Sequence, residues 1–289
     1  MYTWAILENN LVFENKADYG AGIYAVGVTL YNTRVINNQS QGHEGAGLYL
    51  EDYGGAYIVD STIQGNVGYA GQKGAGIYAA AVDTSIVARR STINGNNGAA
   101  QGGGIYSYGV VDLQNSTISG NGAGNGGGIY AETTLAVNYS TIAANYATTQ
   151  GGGIVNTGAA ALMNTVVAGN EADGSIMNNT ADCSAAAAVT FAGYSLFGDG
   201  TGCWANGRSD QTVDPATVFT MELTPLGDNG GDTQTHALMS SSTAIDAGDD
   251  DFCPVTDQRG LNRPQGEHCD SGAFEQISEY WLYLPLIMR

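Results

Sequence analysis

The stretch Gly102-Gly-Gly-Ile-Tyr106, followed by Asn115-Ser-Thr-Ile-Ser-Gly-Asn121, decides the fold because both of its parts recur along the chain. Further copies of the first part lie 24 to 29 residues apart and begin at Gly20, Gly45, Gly74, Gly126 and Gly151. Copies of the second part end at Asn66, Asn96, Asn145 and Asn170, with weaker copies ending at Asn15 and Asn38. A period of this length indicates a solenoid, in which each coil buries its apolar face only against its neighbours.

The repeated segments have the composition of short β-strands. They are rich in β-branched residues and punctuated by Gly, and Ser-Thr-Ile alternates between two faces. Leucine-rich repeats have a similar period but need several Leu per repeat, and Leu is sparse here. The sequence therefore predicts an all-β fold, a right-handed parallel β-helix solenoid of about seven coils with about three strands per coil.

Coils stacked about 4.8 Å apart would place equivalent side chains in columns along the axis. The Gly that opens each repeat is predicted at a corner with positive φ. The recurring Asn is predicted at another corner, in the left-handed region, with its amide hydrogen-bonded from coil to coil in a structural role. Two interior columns are predicted, Ile23, Leu48, Ile77, Ile105, Ile129 and Ile154 in one, and Val35, Ile63, Ile93, Ile118, Ile142 and Val167 in the other.

The repeat spacing is uneven, and the coils between residues 38 and 96 are the longest. The extra residues are predicted to form loops near 39–43 and 68–73. Loops that project from a rigid solenoid are where binding residues concentrate.

The chain is acidic, with a net charge of −19 and only nine Lys plus Arg. Phosphate contacts need clustered cations, so the composition argues against a nucleic-acid partner. Acidic polysaccharides would be repelled unless a cation bridged the charges, which leaves calcium as a candidate cofactor. No apolar stretch reaches the roughly 20 residues that span a bilayer, so no transmembrane segment is predicted.

The four cysteines all follow the repeats, and none forms a CxxC pair of the kind that binds zinc. Two disulfides are predicted, which implies an oxidising compartment. Of the three pairings, the sequential one is favoured because it closes short loops, namely Cys183–Cys203 and Cys253–Cys269.

Three regions are predicted. Residues 1–220 form the parallel β-helix, with about seven regular coils up to residue 170 and irregular coils after it. Residues 221–279 form a loop-rich C-terminal cap over the open end of the solenoid, stapled by disulfides, because unpaired strand edges must be covered. Residues 280–289 form an apolar tail strand.

The C-terminal region carries a specific run of motifs. Examples are Leu226-Gly-Asp-Asn-Gly-Gly-Asp-Thr-Gln-Thr-His-Ala-Leu238, Ala244-Ile-Asp-Ala-Gly248 and Gly272-Ala-Phe-Glu275. This run resembles the C-terminal part of bacterial choice-of-anchor Q proteins, which are related to the polymorphic outer-membrane repeat group. The resemblance implies a pectin-lyase-like β-helix and a secreted or cell-surface location in a bacterium. It implies little about activity.

The tail is almost wholly apolar but too short to span a membrane. Three interpretations stay open: it folds back onto the solenoid, it is a sorting signal, or it pairs with a neighbouring subunit. The chain begins inside the repeat pattern, so an uncovered first coil would complement an added strand and give a homo-oligomer or filament. The candidate assembly residues are Trp281, Leu282, Tyr283, Leu284, Leu286 and Ile287.

Catalytic residues are not evident, and none is predicted. A calcium-dependent lyase needs acidic ligands on adjacent coils and a base, whereas the repeats scatter a few acids and fewer cations. The motifs of polygalacturonases are absent, and Gly42-His43-Glu44-Gly45 is only superficially similar to one of them.

The densest acidic cluster is a candidate calcium site, formed by Asp246, Asp249, Asp250 and Asp251, with Asp257 following. The alternative is a solvated cap loop whose charges are neutralised by Arg259 and Arg263.

The residue after each interior Ile or Leu points outward, which predicts an aromatic stripe. The stripe could stack on the sugars of a polysaccharide or on another subunit, or it could pack beneath the inserted loops. It consists of Tyr24, Tyr49, Tyr78, Tyr106 and Tyr130.

The leading interpretation of the whole chain is a non-enzymatic extracellular or cell-surface structural or adhesive protein that self-assembles head-to-tail. The alternative is a carbohydrate-active enzyme, a polysaccharide lyase or hydrolase.

Overall fold

Each turn of the chain carries three main strands, and equivalent strands of successive turns pair in parallel. The computed structural model describes residues 4–177, 179–185, 189–198, 201–203 and 207–277. Strands β1 to β28 span, in chain order, Trp4–Glu8, Leu11–Phe13, Lys16–Ala17, Ile23–Tyr31, Arg34–Ile36, Gln39–Ser40, Leu48–Val59, Thr62–Gln64, Ile77–Ala79, Ser85–Arg89, Thr92–Asn94, Ala99–Gln101, Ile105–Ser107, Val110–Gln114, Thr117–Ser119, Gly122–Asn125, Ile129–Ala131, Thr134–Asn138, Thr141–Ala143, Tyr146–Gln150, Ile154–Asn156, Ala159–Met163, Val166–Ala168, Glu171–Ala172, Cys183–Ala185, Val189–Gly193, Leu196–Phe197 and Gln211–Thr212.

Short helical turns at Pro215–Thr217, Val218–Glu222 and Asp250–Phe252 follow. No helix in the described ranges is long and apolar enough to cross a membrane. The predicted all-β parallel solenoid of about seven turns is confirmed.

The solenoid has three faces. The first face contains β9, β13, β17, β21 and β25, and the second contains β10, β14, β18, β22 and β26. The long strands β4 and β7 run through both of these faces and β1 pairs with β4, so all of these strands form one thirteen-stranded sheet. The third face is a nine-stranded sheet in the order β2-β5-β8-β11-β15-β19-β23-β27-β28. The small sheets β12-β16-β20-β24 and β3-β6 lie between the third face and the first.

Both predicted interior columns are confirmed. Ile105 pairs in register with Ile77 on one side and Ile129 on the other, and Ile118 pairs with Ile93 and Ile142. These side chains are at most 1% exposed. Burying an aliphatic side chain of this size contributes about 1.5–3 kcal/mol, so the columns are a main source of stability.

The corners use glycine as predicted. The residue that opens each first-face repeat has positive φ, for example 66° at Gly102 and 63° at Gly126. Two positions later, a Cβ on Gly104 would lie 2.6 Å from the carbonyl oxygen of Gly128 in the next turn. Glycine therefore serves both the turn and the close approach of successive coils.

The recurring asparagines form the predicted hydrogen-bonded column, here called the asparagine ladder. Each Nδ2 donates to the Oδ1 of the next turn at 2.8–3.0 Å, and the last amide donates to Asp182. The predicted left-handed backbone was wrong for these residues. Positive φ belongs instead to the residue before each Asn, such as Gly95 or Ala144. The ladder consists of Asn15, Asn38, Asn66, Asn96, Asn121, Asn145 and Asn170.

The longest turns carry additional residues at a place that the spacing did not predict. Residues 80–84 separate β9 from β10, whereas only residues 108–109 separate the equivalent strands β13 and β14. In β7 the register with β4 shifts because residues 51–54 are inserted between its first-face and second-face parts. These insertions lie beside the first face, next to the tyrosine stripe, in addition to the loop at 68–73.

Both predicted disulfides are confirmed, Cys183–Cys203 and Cys253–Cys269. Cys183 continues the interior column because it pairs in register with Ile154. The two cysteines of the first disulfide are almost fully buried within the core of the solenoid.

The loop-rich C-terminal cap packs along the flank of the solenoid. Thr92 donates to the carbonyl of Gln234 at 2.6 Å, and Ser271 donates to the carbonyl of Tyr194 at 2.6 Å, several turns away. The cap thus runs along the third face instead of only covering the open end, as the sequence had suggested. A second apolar core joins the two, formed by Ala143, Val166, Ala168, Leu196, Val218, Leu223, Leu238, Ala244 and Phe274.

Candidate functional site

The five predicted stripe tyrosines form one stack on the outside of the first face, here called the tyrosine ladder. The parallel register pairs Tyr24 with Tyr49, Tyr49 with Tyr78, Tyr78 with Tyr106, and Tyr106 with Tyr130. Successive ring centroids lie 4.8, 5.1, 5.6 and 5.3 Å apart. This distance is close to the spacing of paired strands, so the ring stack is a direct consequence of the register.

The tyrosine ladder is most exposed at its N-terminal end. Tyr24 is 51% exposed and Tyr49 is half-buried, whereas Tyr78 is 8% and Tyr106 0% exposed. A uniformly exposed stripe is therefore wrong. The middle of the ladder is covered by neighbouring side chains, as the alternative of packing beneath loops had suggested.

The covered part of the ladder holds an ammonium group of the protein itself. The Nζ of Lys73 donates to the hydroxyls of Tyr106 at 2.6 Å and Tyr108 at 2.7 Å. The same Nζ lies 4.4 and 4.7 Å from the centroids of these two rings. Tyr106 in turn donates to the carboxylate of Glu132. Two hydroxyls and two aromatic rings thus contact one cation, and the Glu132 carboxylate is linked to it through Tyr106.

These contacts shift the two phenols in opposite directions. The hydrogen bond from Lys73 lowers the pKa of Tyr108, and the hydrogen bond with Tyr106 adds to this effect. Burial raises the pKa of Tyr106, as does its hydrogen bond to Glu132.

The exposed end of the ladder borders an open pocket of about 360 Å³. We call it the Tyr49–Tyr53 pocket. Its walls are Val26, Tyr49, Glu51, Asp52, Tyr53 and Ala80. The pocket exists because of residues 51–54, the insertion in β7, which carry both carboxylates and an additional aromatic ring away from the sheet.

Tyr53 is the most exposed ring of this surface, at 71%. Its backbone has a φ of 61°, in the left-handed region that an aromatic residue rarely adopts. Its backbone N–H donates to the Asp83 carboxylate at 3.4 Å. Its exposure and its place in the pocket wall make Tyr53 the strongest candidate for a binding residue that sequence reasoning missed.

Carboxylates dominate the electrostatics of the pocket. Tyr24 donates to Glu51, and this hydrogen bond, with burial, raises the pKa of Tyr24 to about 12. Burial raises the pKa of Tyr49, and Glu44 and Glu51 raise it further. Within the described ranges, no Lys or Arg forms an ion pair with Glu51 or Asp52. The pocket is therefore an aromatic surface in a negative field.

His43 lies at the edge of this aromatic surface. Its ring stacks on Tyr19 with centroids 4.0 Å apart, and Tyr19 meets Tyr49 edge to face at 5.8 Å. His43 thus extends the aromatic surface. Tyr19, Tyr53 and Tyr108 were missed because they lie outside the repeated position, although aromatic residues inside insertions were a usable signal.

The acidic cluster of the cap lines a second open pocket, of about 460 Å³. Asp246 accepts the backbone N–H of His268 at 2.9 Å, and Asp249 accepts that of Asp251 at 3.2 Å. Asp250 pairs with the His268 ring at 2.7 Å, which lowers the pKa of Asp250 and raises that of His268. Among the residues described, no group of three or more His, Cys, Asp or Glu side chains is placed to hold a metal ion. Calcium stays a prediction.

The cap arginines neutralise other carboxylates than those of the acidic cluster. Arg259 pairs with Asp257 at 2.7 Å, and Arg263 pairs with Glu275 at 2.9 Å, all nearly or fully buried. The predicted neutralisation is therefore confirmed for Asp257 alone. The side chains of Asp246, Asp249 and Asp251 instead face backbone donors or solvent. The negative charge of the cluster therefore remains at the surface.

The candidate assembly strand, residues 280–289, lies outside the described residues. Its role in association stays a prediction.

Comparison with known proteins gives no match, whether to a protein-family model, a curated protein or a solved structure. The site must therefore be interpreted from its geometry.

Proposed function

We propose that the protein is a non-enzymatic, secreted or cell-surface scaffold that binds polysaccharide at the open end of the tyrosine ladder. The supporting observation is the Tyr49–Tyr53 pocket, where exposed rings meet carboxylates on a rigid sheet. Sugar rings present C–H faces that stack on aromatic rings and hydroxyls that donate to carboxylates. Loops positioned by a rigid scaffold are the usual place for binding residues.

The compartment and the family are parts of the same proposal. Two disulfides fit an oxidising environment. The C-terminal motifs support membership of the choice-of-anchor Q proteins and, with it, export in bacteria. A parallel solenoid with a cap along its flank is a suitable spacer for presenting a binding surface away from a cell.

Binding to a panel of neutral, acidic and amine-bearing polysaccharides tests the proposal, by affinity electrophoresis and titration calorimetry. Tyr24→Ala and Tyr53→Ala should each weaken binding about fivefold, because each removes one stacking ring worth roughly 1 kcal/mol. Tyr146→Ala is the matched control, since Tyr146 is 45% exposed but lies on β20, away from the ladder. Wild-type protein that binds none of the panel, or equal losses in all three variants, would refute the proposal.

One observation favours the alternative, a carbohydrate-active enzyme. Tyr108 has a lowered pKa and lies beside Lys73, which is the chemistry that a base in β-elimination requires. An absorbance assay for unsaturated products over the same panel separates the two functions. Turnover that disappears in Tyr108→Phe while binding persists would establish the enzyme.

A further inference from the structure

The tyrosine ladder already binds one primary ammonium, that of Lys73. The ammonium donates to two tyrosine hydroxyls, lies against both rings, and has Glu132 within the same hydrogen-bonded group. This arrangement gives an alkylammonium two hydrogen-bond acceptors and two aromatic rings, with a carboxylate one hydrogen bond further away. The protein therefore contains, in its own fold, an example of the ligand chemistry that this surface accepts.

The Tyr49–Tyr53 pocket repeats these groups at the other end of the ladder. Its wall contains the rings of Tyr49 and Tyr53 together with the carboxylate of Glu51, which accepts from Tyr24 as Glu132 accepts from Tyr106. Asp52 adds a second carboxylate to the wall. In the part of the chain that the structure describes, no cation of the protein pairs with either carboxylate.

The net charge of the molecule also favours one class of glycan over another. With a net charge of −19, an acidic polysaccharide is repelled at long range and a cationic one is attracted. The pocket volume of about 360 Å³ is within the range of sites that hold small ligands.

We infer that the Tyr49–Tyr53 pocket recognises a glycan that carries primary amines, with the ammonium held by the same kinds of group that hold Lys73 in the covered half. This inference rests on the proposed function and names the ligand class of the same site. The sugar ring stacks on the exposed tyrosines, and the ammonium lies between the rings and the carboxylates of Glu51 and Asp52.

The test compares a β-1,4-linked glucosamine hexamer with its N-acetylated counterpart by titration calorimetry, at a pH where the amines are charged. We expect the amine-bearing hexamer to bind at least tenfold more tightly, and the preference to decrease with added salt. The double variant Glu51→Gln/Asp52→Asn should lose the preference while it keeps its binding to the N-acetylated hexamer.

The matched control is Glu14→Gln/Asp173→Asn, which changes the net charge equally at two exposed residues outside the pocket. It should retain the preference. If it loses the preference as fully as the pocket variant, the overall charge and not the pocket is responsible, and the inference is overturned. Equal binding of both hexamers, or tighter binding of the N-acetylated one, overturns the inference and leaves the proposed function standing. Failure of every glycan to bind overturns both.

Discussion

Asp270 in the cap links the stability of the fold to pH through its buried carboxyl group. It is 1% exposed and accepts backbone hydrogen bonds from Asp246 at 2.8 Å and Gln276 at 2.5 Å. Burial, with the nearby charge of Glu275, raises the pKa of Asp270 to about 7. The folded state therefore holds a proton that the unfolded chain releases near pH 4.

The free energy of unfolding should therefore decrease as the pH rises from about 4 to 7, by roughly 4 kcal/mol from Asp270 alone, and level off above 7. Asp270→Asn should remove this contribution. Urea unfolding of wild type and variant across this range measures it as the difference between the two curves. His236, whose pKa is lowered by burial, contributes the opposite slope to both proteins and cancels in that difference.

Asp173→Asn is the control, because Asp173 is exposed. The decrease in the free energy of unfolding between pH 4 and 7 that Asp270→Asn removes should remain in this variant. If the difference in the free energy of unfolding between wild type and Asp270→Asn is independent of pH, Asp270 is ionised in the folded protein throughout this pH range.

At the scale of single elements, stability should be most sensitive to substitutions in the asparagine ladder. Asn121 donates to Asn145 and to the carbonyl of Ile93, and its Oδ1 accepts both the backbone N–H and the side-chain amide of Asn96, all at 2.9–3.0 Å. Asn121→Ala leaves several of these buried groups without partners, at about 1–3 kcal/mol each. We expect a loss of at least about 3 kcal/mol in chemical denaturation.

Asn97→Ala supplies the comparison. Asn97 follows the ladder residue Asn96 directly but is only half-buried, and its amide makes one long bond of 3.5 Å to Gly95. Asn97→Ala should lower the free energy of unfolding by no more than about 0.5 kcal/mol. Equal losses at both positions would mean that the ladder has no special share in stability.

The elements themselves were largely predictable, because every turn repeats the same pairing. Ile105 and Ile129 occupy equivalent positions in a period, and the parallel register follows from the period alone. The left-handed conformation was predicted one position too late, at the ladder asparagines. Asn is common in that conformation, but here it provides a buried side-chain amide. The insertions at 51–54 and 80–84 were not predicted, unlike the loop at 68–73, because a long period gives the length of a turn and not the face that receives the additional residues.

At the scale of the whole molecule, the arrangement of the cap and of the binding site was beyond sequence reasoning. Gln258 in the cap bonds to Thr117 at 2.7 Å across 141 residues of chain, and no local pattern specifies such a pair. Lys73 reaches Tyr106 and Tyr108 from a loop of an earlier turn. The tyrosine column was predictable, whereas which of its rings stay exposed depends on these non-local contacts.

Association through the tail remains a prediction for the whole molecule. Deleting residues 280–289 should abolish concentration-dependent assembly, because it removes the apolar strand that would pair with an exposed edge. Sedimentation velocity at rising concentration measures this, and circular dichroism checks that the deletion variant keeps its β-structure. Wild-type protein that stays monomeric at high concentration would contradict the prediction.

The asparagine ladder also has a direction, and its last member explains where the ladder stops. Every amide donates toward the C-terminal side, so the positive ends of the aligned side-chain dipoles point toward Asp182. A carboxylate accepts hydrogen bonds but has no N–H to pass on. Replacing the eighth asparagine by aspartate therefore both balances the dipoles of the column and terminates the series, as an acidic side chain does at the amino end of a helix.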